Sequence, residues 1–112
     1  MTEQQLFRIN KLKEFLEKDP NDSFSKYALA LEHLKLNEIE KGKSLFEELI
    51  KNDPKYTGTY YQLGKLYQKL GQTESAEKIF RAGISVTTEL QQQHAKSELM
   101  NALNELLYGD EI

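Results

Sequence analysis

Few residues in this chain could do covalent chemistry. It has no cysteine, which removes a disulfide scaffold, a thiolate metal site and a cysteine nucleophile. It has two histidines, His33 and His94. His94 and Glu98 stand four apart, a spacing that puts two ligands on one helix face. No third or fourth ligand accompanies them, so no zinc site is expected. His33 shares one side of a helix with Leu29 and Leu36 and reads as a satisfied, partly buried histidine rather than a base or a ligand. The patterns GxxxxGK[ST], GxSxG, HExxH and GxGxxG are all missing from the sequence. Without a nucleophile–base pair, a metal set or a phosphate loop, the expectation is no enzyme, no catalytic residue, no metal and no cofactor.

What remains is chemistry of recognition. Lys65 and Lys69, four apart on one face, could attract an acidic segment, although a solvated pair explains them better. Tyr27 and Tyr61 are aromatic side chains with a polar tip, a type that suits partner surfaces. Fifteen basic and eighteen acidic residues among 112 give a net charge of -3. The charge is spread evenly: residues 1–54 carry nine basic and eleven acidic side chains, residues 55–112 six and seven. Neither half could release counterions from a nucleic-acid backbone, so no nucleic-acid partner is expected. The N-terminal MTEQQLFRINK lacks the basic-then-apolar pattern of a secretory signal. The longest apolar run is Tyr27 to Leu31, far below the roughly 20 residues a membrane span needs. No membrane partner and a cytoplasmic location are the default expectations.

The elements that must position these residues follow a period. Pro20 and Pro54, the two prolines, lie 34 apart, each after Asp and each closing an apolar-periodic stretch. A shift of 34 superposes Leu29 on Leu63, Ala30 on Gly64, Gly42 on Ala76 and Phe46 on Phe80. Going back from Phe46 it reaches Leu12, so the N-terminal segment reads as the second half of an earlier unit. Apolar residues at helical spacing predict helices over 4–18 (Phe7, Ile9, Leu12, Phe15, Leu16), 22–36, 38–51, 56–70, 73–87 and 89–108. Asn37 followed by Glu40 suggests a capping box for the third helix, and Gly71 a stop for the fourth. Val86-Thr87-Thr88 is the one β-leaning patch. The Glu-rich runs EIEKGKSLFEEL and TESAEK need only solubility to explain them.

At residues 57–90 the sequence resembles the tetratricopeptide repeat: Tyr60, Leu63-Gly64 and Tyr67, then Gly71, Ala76 and Phe80. Tyr60 stands where the family usually has Trp, and Thr88 where it has Pro. Residues 23–56 are a weaker copy. Leu29, Ala30, Phe46 and Pro54 match, but Lys26 replaces the first aromatic, His33 the Tyr and Gly42 the Ala. The resemblance implies an all-α fold of about six helices, antiparallel hairpins stacked as a short right-handed α-solenoid. It implies a single domain over 1–112: a capping helix at 4–20, repeats at 23–56 and 57–90, a second capping helix at 91–108 and a tail at 109–112. The capping helices would supply neighbours that two repeats lack, the last one turning Gln91, Gln92, Lys96, Asn101, Asn104 and Glu105 outward.

The family commonly binds a peptide or protein along a concave face lined by the first helix of each repeat. The resemblance places Phe24, Tyr27, Leu31 and Leu34 there from the first repeat, and Tyr61, Lys65, Gln68 and Lys69 from the second. Gln92, Ala95 and Leu99 would join them from the last helix. Leu31, Leu34 and Leu99 read better as packing residues. The expected binding set is therefore Phe24, Tyr27, Tyr61, Lys65, Gln68 and Lys69, on a non-catalytic module with a protein or peptide partner. The alternative is a self-associating scaffold, a homodimer, because two repeats bury little surface. The lysine–asparagine grip on a C-terminal carboxylate found in some family members is not expected. Its places here hold Tyr27, Leu31 and Gln62, with Gln92 and Lys96 in the last helix, and only Lys96 is basic.

Overall fold

Local capping chemistry sets where the helices begin and end. In the computed structural model, which describes residues 1–109, Thr2 opens helix α1 (Glu3–Lys18) with a reciprocal capping box. The Gln5 amide donates to Thr2 Oγ1 at 3.0 Å and the Thr2 amide to Gln5 Oε1 at 2.8 Å. Asp22 caps α2 (Ser23–Lys35), accepting from the Ser25 amide. Helices α3 (Ile39–Asn52), α4 (Gly58–Lys69), α5 (Thr73–Glu89) and α6 (Gln93–Tyr108) follow. The described residues contain helices and no strands.

The closures of α2, α4 and α5 share one geometry. Asn37, Gly71 and Gln91 take positive φ of 60°, 76° and 58°. Each of these residues donates its amide to the last turn (Asn37 to Leu34, Gly71 to Gln68, Gln91 to Thr88), and so does the next: Glu38 to the His33 carbonyl at 2.8 Å, Gln72 to Tyr67 at 2.8 Å and Gln92 to Thr87 at 2.9 Å. These are Schellman closures, and the first two stand 34 apart. Asn37 therefore ends α2 and does not cap α3. The capping box expected from Asn37 and Glu40 is not formed, and Glu38, at the N-cap, makes no side-chain cap bond. The third closure also moves the start of α6 from the expected residue 89 to Gln93. Val86-Thr87-Thr88 is helical, and its threonine hydroxyls bond back along the helix. Thr87 Oγ1 donates to the Gly83 carbonyl at 2.8 Å and Thr88 Oγ1 to Ile84 at 2.7 Å.

The chain divides into two compact units, Met1–Asp53 and Pro54–Ile112. In the first, Ile9 and Leu12 of α1 bury against Leu29 of α2, while Phe46 and Leu49 of α3 are fully enclosed. Gly42 allows α3 to approach α2: a Cβ there would lie 2.7 Å from Leu34 Cδ2 and 3.1 Å from the Ala30 carbonyl. The Tyr27 ring tilts against Phe46 at 5.8 Å between centroids. Lys26, at the place of the repeat's first aromatic, is buried, and its Nζ meets Glu48 at 3.1 Å. The expected apolar stripe of α1 is only partly used: Ile9 and Leu12 are buried, whereas Phe7 and Phe15 are exposed.

In the second unit α5 packs against both α4 and α6. Phe80 is 0% exposed, its ring laid over Gly64. Gly83 lets α5 approach Tyr60 of α4 and Leu99 of α6. The Tyr60 hydroxyl donates to the Pro54 carbonyl at 2.7 Å, tying the Asp-Pro corner to α4. Met100 and Leu107 of α6 are exposed, so that helix is not polar throughout on its outer side. Of the expected tail over 109–112, residues 110–112 lie outside the described residues.

Candidate functional site

Helix α4 has two uses for its two sides. Tyr60, Leu63 and Gly64 are buried on the side that meets α5. Tyr61 and Lys65, one helical turn apart, stay partly exposed and face α6. Glu98, Asn101, Ala102 and Glu105 of α6 complete a groove of about 170 Å³. Lys65 Nζ stands 4.0 Å from Glu105 Oε2. Glu105 is exposed and Lys65 partly so, and at this distance the pair contributes little to stability. One lysine between two glutamates gives this groove no surplus positive charge, and it has nothing to favour an acidic segment. Its chemistry suits a peptide otherwise: a phenol, an amine and an amide offer donors, two carboxylates and the amide offer acceptors, and the Tyr61 ring offers an apolar wall.

Of the expected binding residues, Tyr61 and Lys65 are brought together here. Gln68 is half-buried on the same helix, with Oε1 enclosed and without a hydrogen-bond partner. Lys69 is exposed. Phe24 and Tyr27 belong to the first unit, Phe24 exposed and Tyr27 partly buried against Phe46. The last helix contributes different residues from those expected. Gln92 precedes α6, where its Oε1 accepts the Thr57 hydroxyl at 2.6 Å, and Leu99 is buried against Gly83. Glu98, Asn101 and Glu105, spaced 98–101–105 along one helical stripe, line the groove instead. That polar spacing was the available signal for them.

The two histidines have structural settings. His33 is buried and its Nδ1 lies 2.9 Å from Glu38 Oε1. An ionised carboxylate can only accept, so Nδ1 donates. His33, with Lys41 beside it, holds the Glu38 carboxyl below its ordinary 4.5. His94 is exposed and 3.4 Å from Glu98. Among the described residues no group of three or more His, Asp or Glu side chains converges where a metal ion could sit. No helix among them is long and apolar enough to cross a membrane.

Tetratricopeptide-repeat profiles match residues 25–56 and 45–78. A tetratricopeptide repeat domain protein from Salinibacter ruber, known as a crystal structure, is 45% identical over 78% of this chain and 98% of that one, with TM-score 0.75. A solution structure of a tetratricopeptide repeat domain protein from the same organism is 46% identical, covering 83% and 93%, with TM-score 0.77. The chain thus belongs to the tetratricopeptide repeat family and has its all-α helical repeat fold. The same fold is seen in the TPR2B domain of yeast Sti1, solved as a complex with an Hsp70 peptide, at TM-score 0.80 but 15% identity, over 88% of this chain and 79% of that one. No curated protein matches the sequence.

Proposed function

We propose that this protein is a non-catalytic interaction module that holds a peptide or protein segment, with Tyr61 and Lys65 as its principal contacts. In this reading the repeats run over 23–56 and 57–90, flanked by helices at 4–20 and 91–108. Phe24, Tyr27, Gln68 and Lys69 are secondary contacts. The observation that carries it is the convergence of Tyr61 and Lys65 with Asn101 and Glu105 in an open groove, on residues the fold does not use for packing. Tetratricopeptide repeats generally mediate protein–protein interaction, and a domain of the same fold is known with a peptide bound.

The test is a calorimetric titration of a partner recovered by pull-down from the native cell, using the wild type, Tyr61→Ala and Lys65→Glu. Loss of a partly exposed interface aromatic of this kind is expected to weaken binding by roughly tenfold or more. Unchanged affinity in both variants removes the α4–α6 groove from the account.

A further inference from the structure

Charge is not evenly spread along the α4–α6 groove. Helices α4, α5 and α6 follow one another through short turns at 70–72 and 90–92, so neighbours run antiparallel and α4 and α6 run the same way. Lys65 Nζ meets Glu105 Oε2 at 4.0 Å. Tyr61, one turn earlier on α4, therefore falls beside the earlier part of α6, where Glu98 and Asn101 stand. The later end of the groove holds the lysine and its carboxylate. The earlier end holds a carboxylate, an amide and a phenol ring, and among the described residues no lysine or arginine lines it.

Glu98 is 54% exposed, and its contact is His94 Nε2 at 3.4 Å, on a side chain that is 92% exposed. A contact between two such open side chains is weak and exchanges readily. Lys96, two residues before Glu98, lies on the opposite side of α6. Lys69, one turn past Lys65 on α4, is exposed and outside the groove's lining. The Glu98 end thus keeps a negative charge that no lysine or arginine of the groove offsets.

Taking the α4–α6 groove as the place where a segment is held, we infer that the segment presents an arginine or lysine at its Glu98 end. The cation lies between the Glu98 carboxylate and the Tyr61 ring, with the Asn101 side-chain carbonyl as a further acceptor. A guanidinium fits best, because it stacks on an aromatic face and still offers its fork to a carboxylate. An acidic residue at this end would be repelled by Glu98. Lys65, already beside Glu105, is left to the carbonyl oxygens of the same segment. The groove thereby has a polarity: basic residue toward Glu98, neutral acceptors toward Lys65.

A random-peptide display selection on the whole chain, followed by anisotropy titrations of the best synthetic peptide, tests this. Expected is enrichment of Arg or Lys at one fixed position. Replacing that residue by Gln in the peptide, or making Glu98→Gln in the protein, should weaken binding roughly fivefold or more, and added salt should weaken the wild-type pair as well. Glu98→Lys should weaken it further. A peptide with Glu at the fixed position should regain affinity for that variant, a rescue that direct pairing requires. Glu98 is exposed, so neither change removes packing. Tyr61→Ala separates this assignment from the groove itself. Peptides that depend on Tyr61 but carry no basic residue, or that ignore Glu98→Lys, overturn the basic-residue assignment and leave the groove standing. Peptides indifferent to both Tyr61→Ala and Glu98→Lys, or no enrichment at all, overturn both.

Discussion

The sharpest test of the packing is a double-mutant cycle between Phe80 and Gly64. Phe80 has no exposed surface, and truncation to Ala is expected to cost about 3–5 kcal/mol. That is a large part of the roughly 5–15 kcal/mol that holds a domain together. Gly64→Ala attacks the same contact from the other side. Its Cβ would fall 2.2, 2.5 and 2.7 Å from Cε1, Cδ1 and Cζ of the Phe80 ring. The ring is enclosed and has no open space to swing into, so this substitution should cost about 1–3 kcal/mol. In the Phe80→Ala background those ring atoms are gone. Gly64→Ala should then become favourable by up to about 1 kcal/mol, the ordinary helix preference of Ala over Gly. The sign change is the signature of direct contact. Urea unfolding followed by far-ultraviolet circular dichroism on the four proteins reads it out. If Gly64→Ala costs the same in both backgrounds, or Phe80→Ala costs under about 1 kcal/mol, Phe80 is not wedged between α4 and α5.

Two further outcomes follow from single residues. Thr59 is fully buried and its hydroxyl has no partner, so Thr59→Val, of the same shape, should raise stability by about 1 kcal/mol in thermal melts; an equal loss would show that the hydroxyl is satisfied after all. For Glu38, the hydrogen bond from His33 lowers the folded carboxyl below 4.5. Its contribution is therefore complete above 4.5 and lost as pH falls through the lowered value. A carbon-detected NMR titration should place the Glu38 midpoint below 4.5 and show it rising in His33→Ala; no change on that substitution would break the link.

Much of the fold was legible because the repeat writes itself into residue size. Ala30 and Gly64, Gly42 and Ala76, and Phe46 and Phe80 keep the 34-residue spacing, because close helix approach needs a small residue, as where the Phe80 ring lies over Gly64. The Asp-Pro corners and the stop at Gly71 were readable for a similar local reason, since proline and positive φ restrict the backbone whatever surrounds it. Asn37 was misread because an amide side chain serves equally as a helix N-cap and as a left-handed terminator. Only the backbone bonds from Glu38 to His33 decide between them. Lys26 and His33 departed from the repeat pattern, and their partners Glu48 and Glu38 were not predictable from spacing.

The sequence alone determined the helices, their pairing and the absence of cysteine chemistry, because periodicity and residue type act within a few turns of chain. Which faces stay open was a tertiary decision. Tyr61 and Lys65 gain Glu98, Asn101 and Glu105 as neighbours only once Leu99 turns inward on Gly83. Phe7, part of the apolar stripe of α1, remains in solvent, as Phe24 does, while Ile9 and Leu12 of the same stripe are covered by α2. Burial depends on what arrives from elsewhere in the chain, and a residue's own identity does not record it.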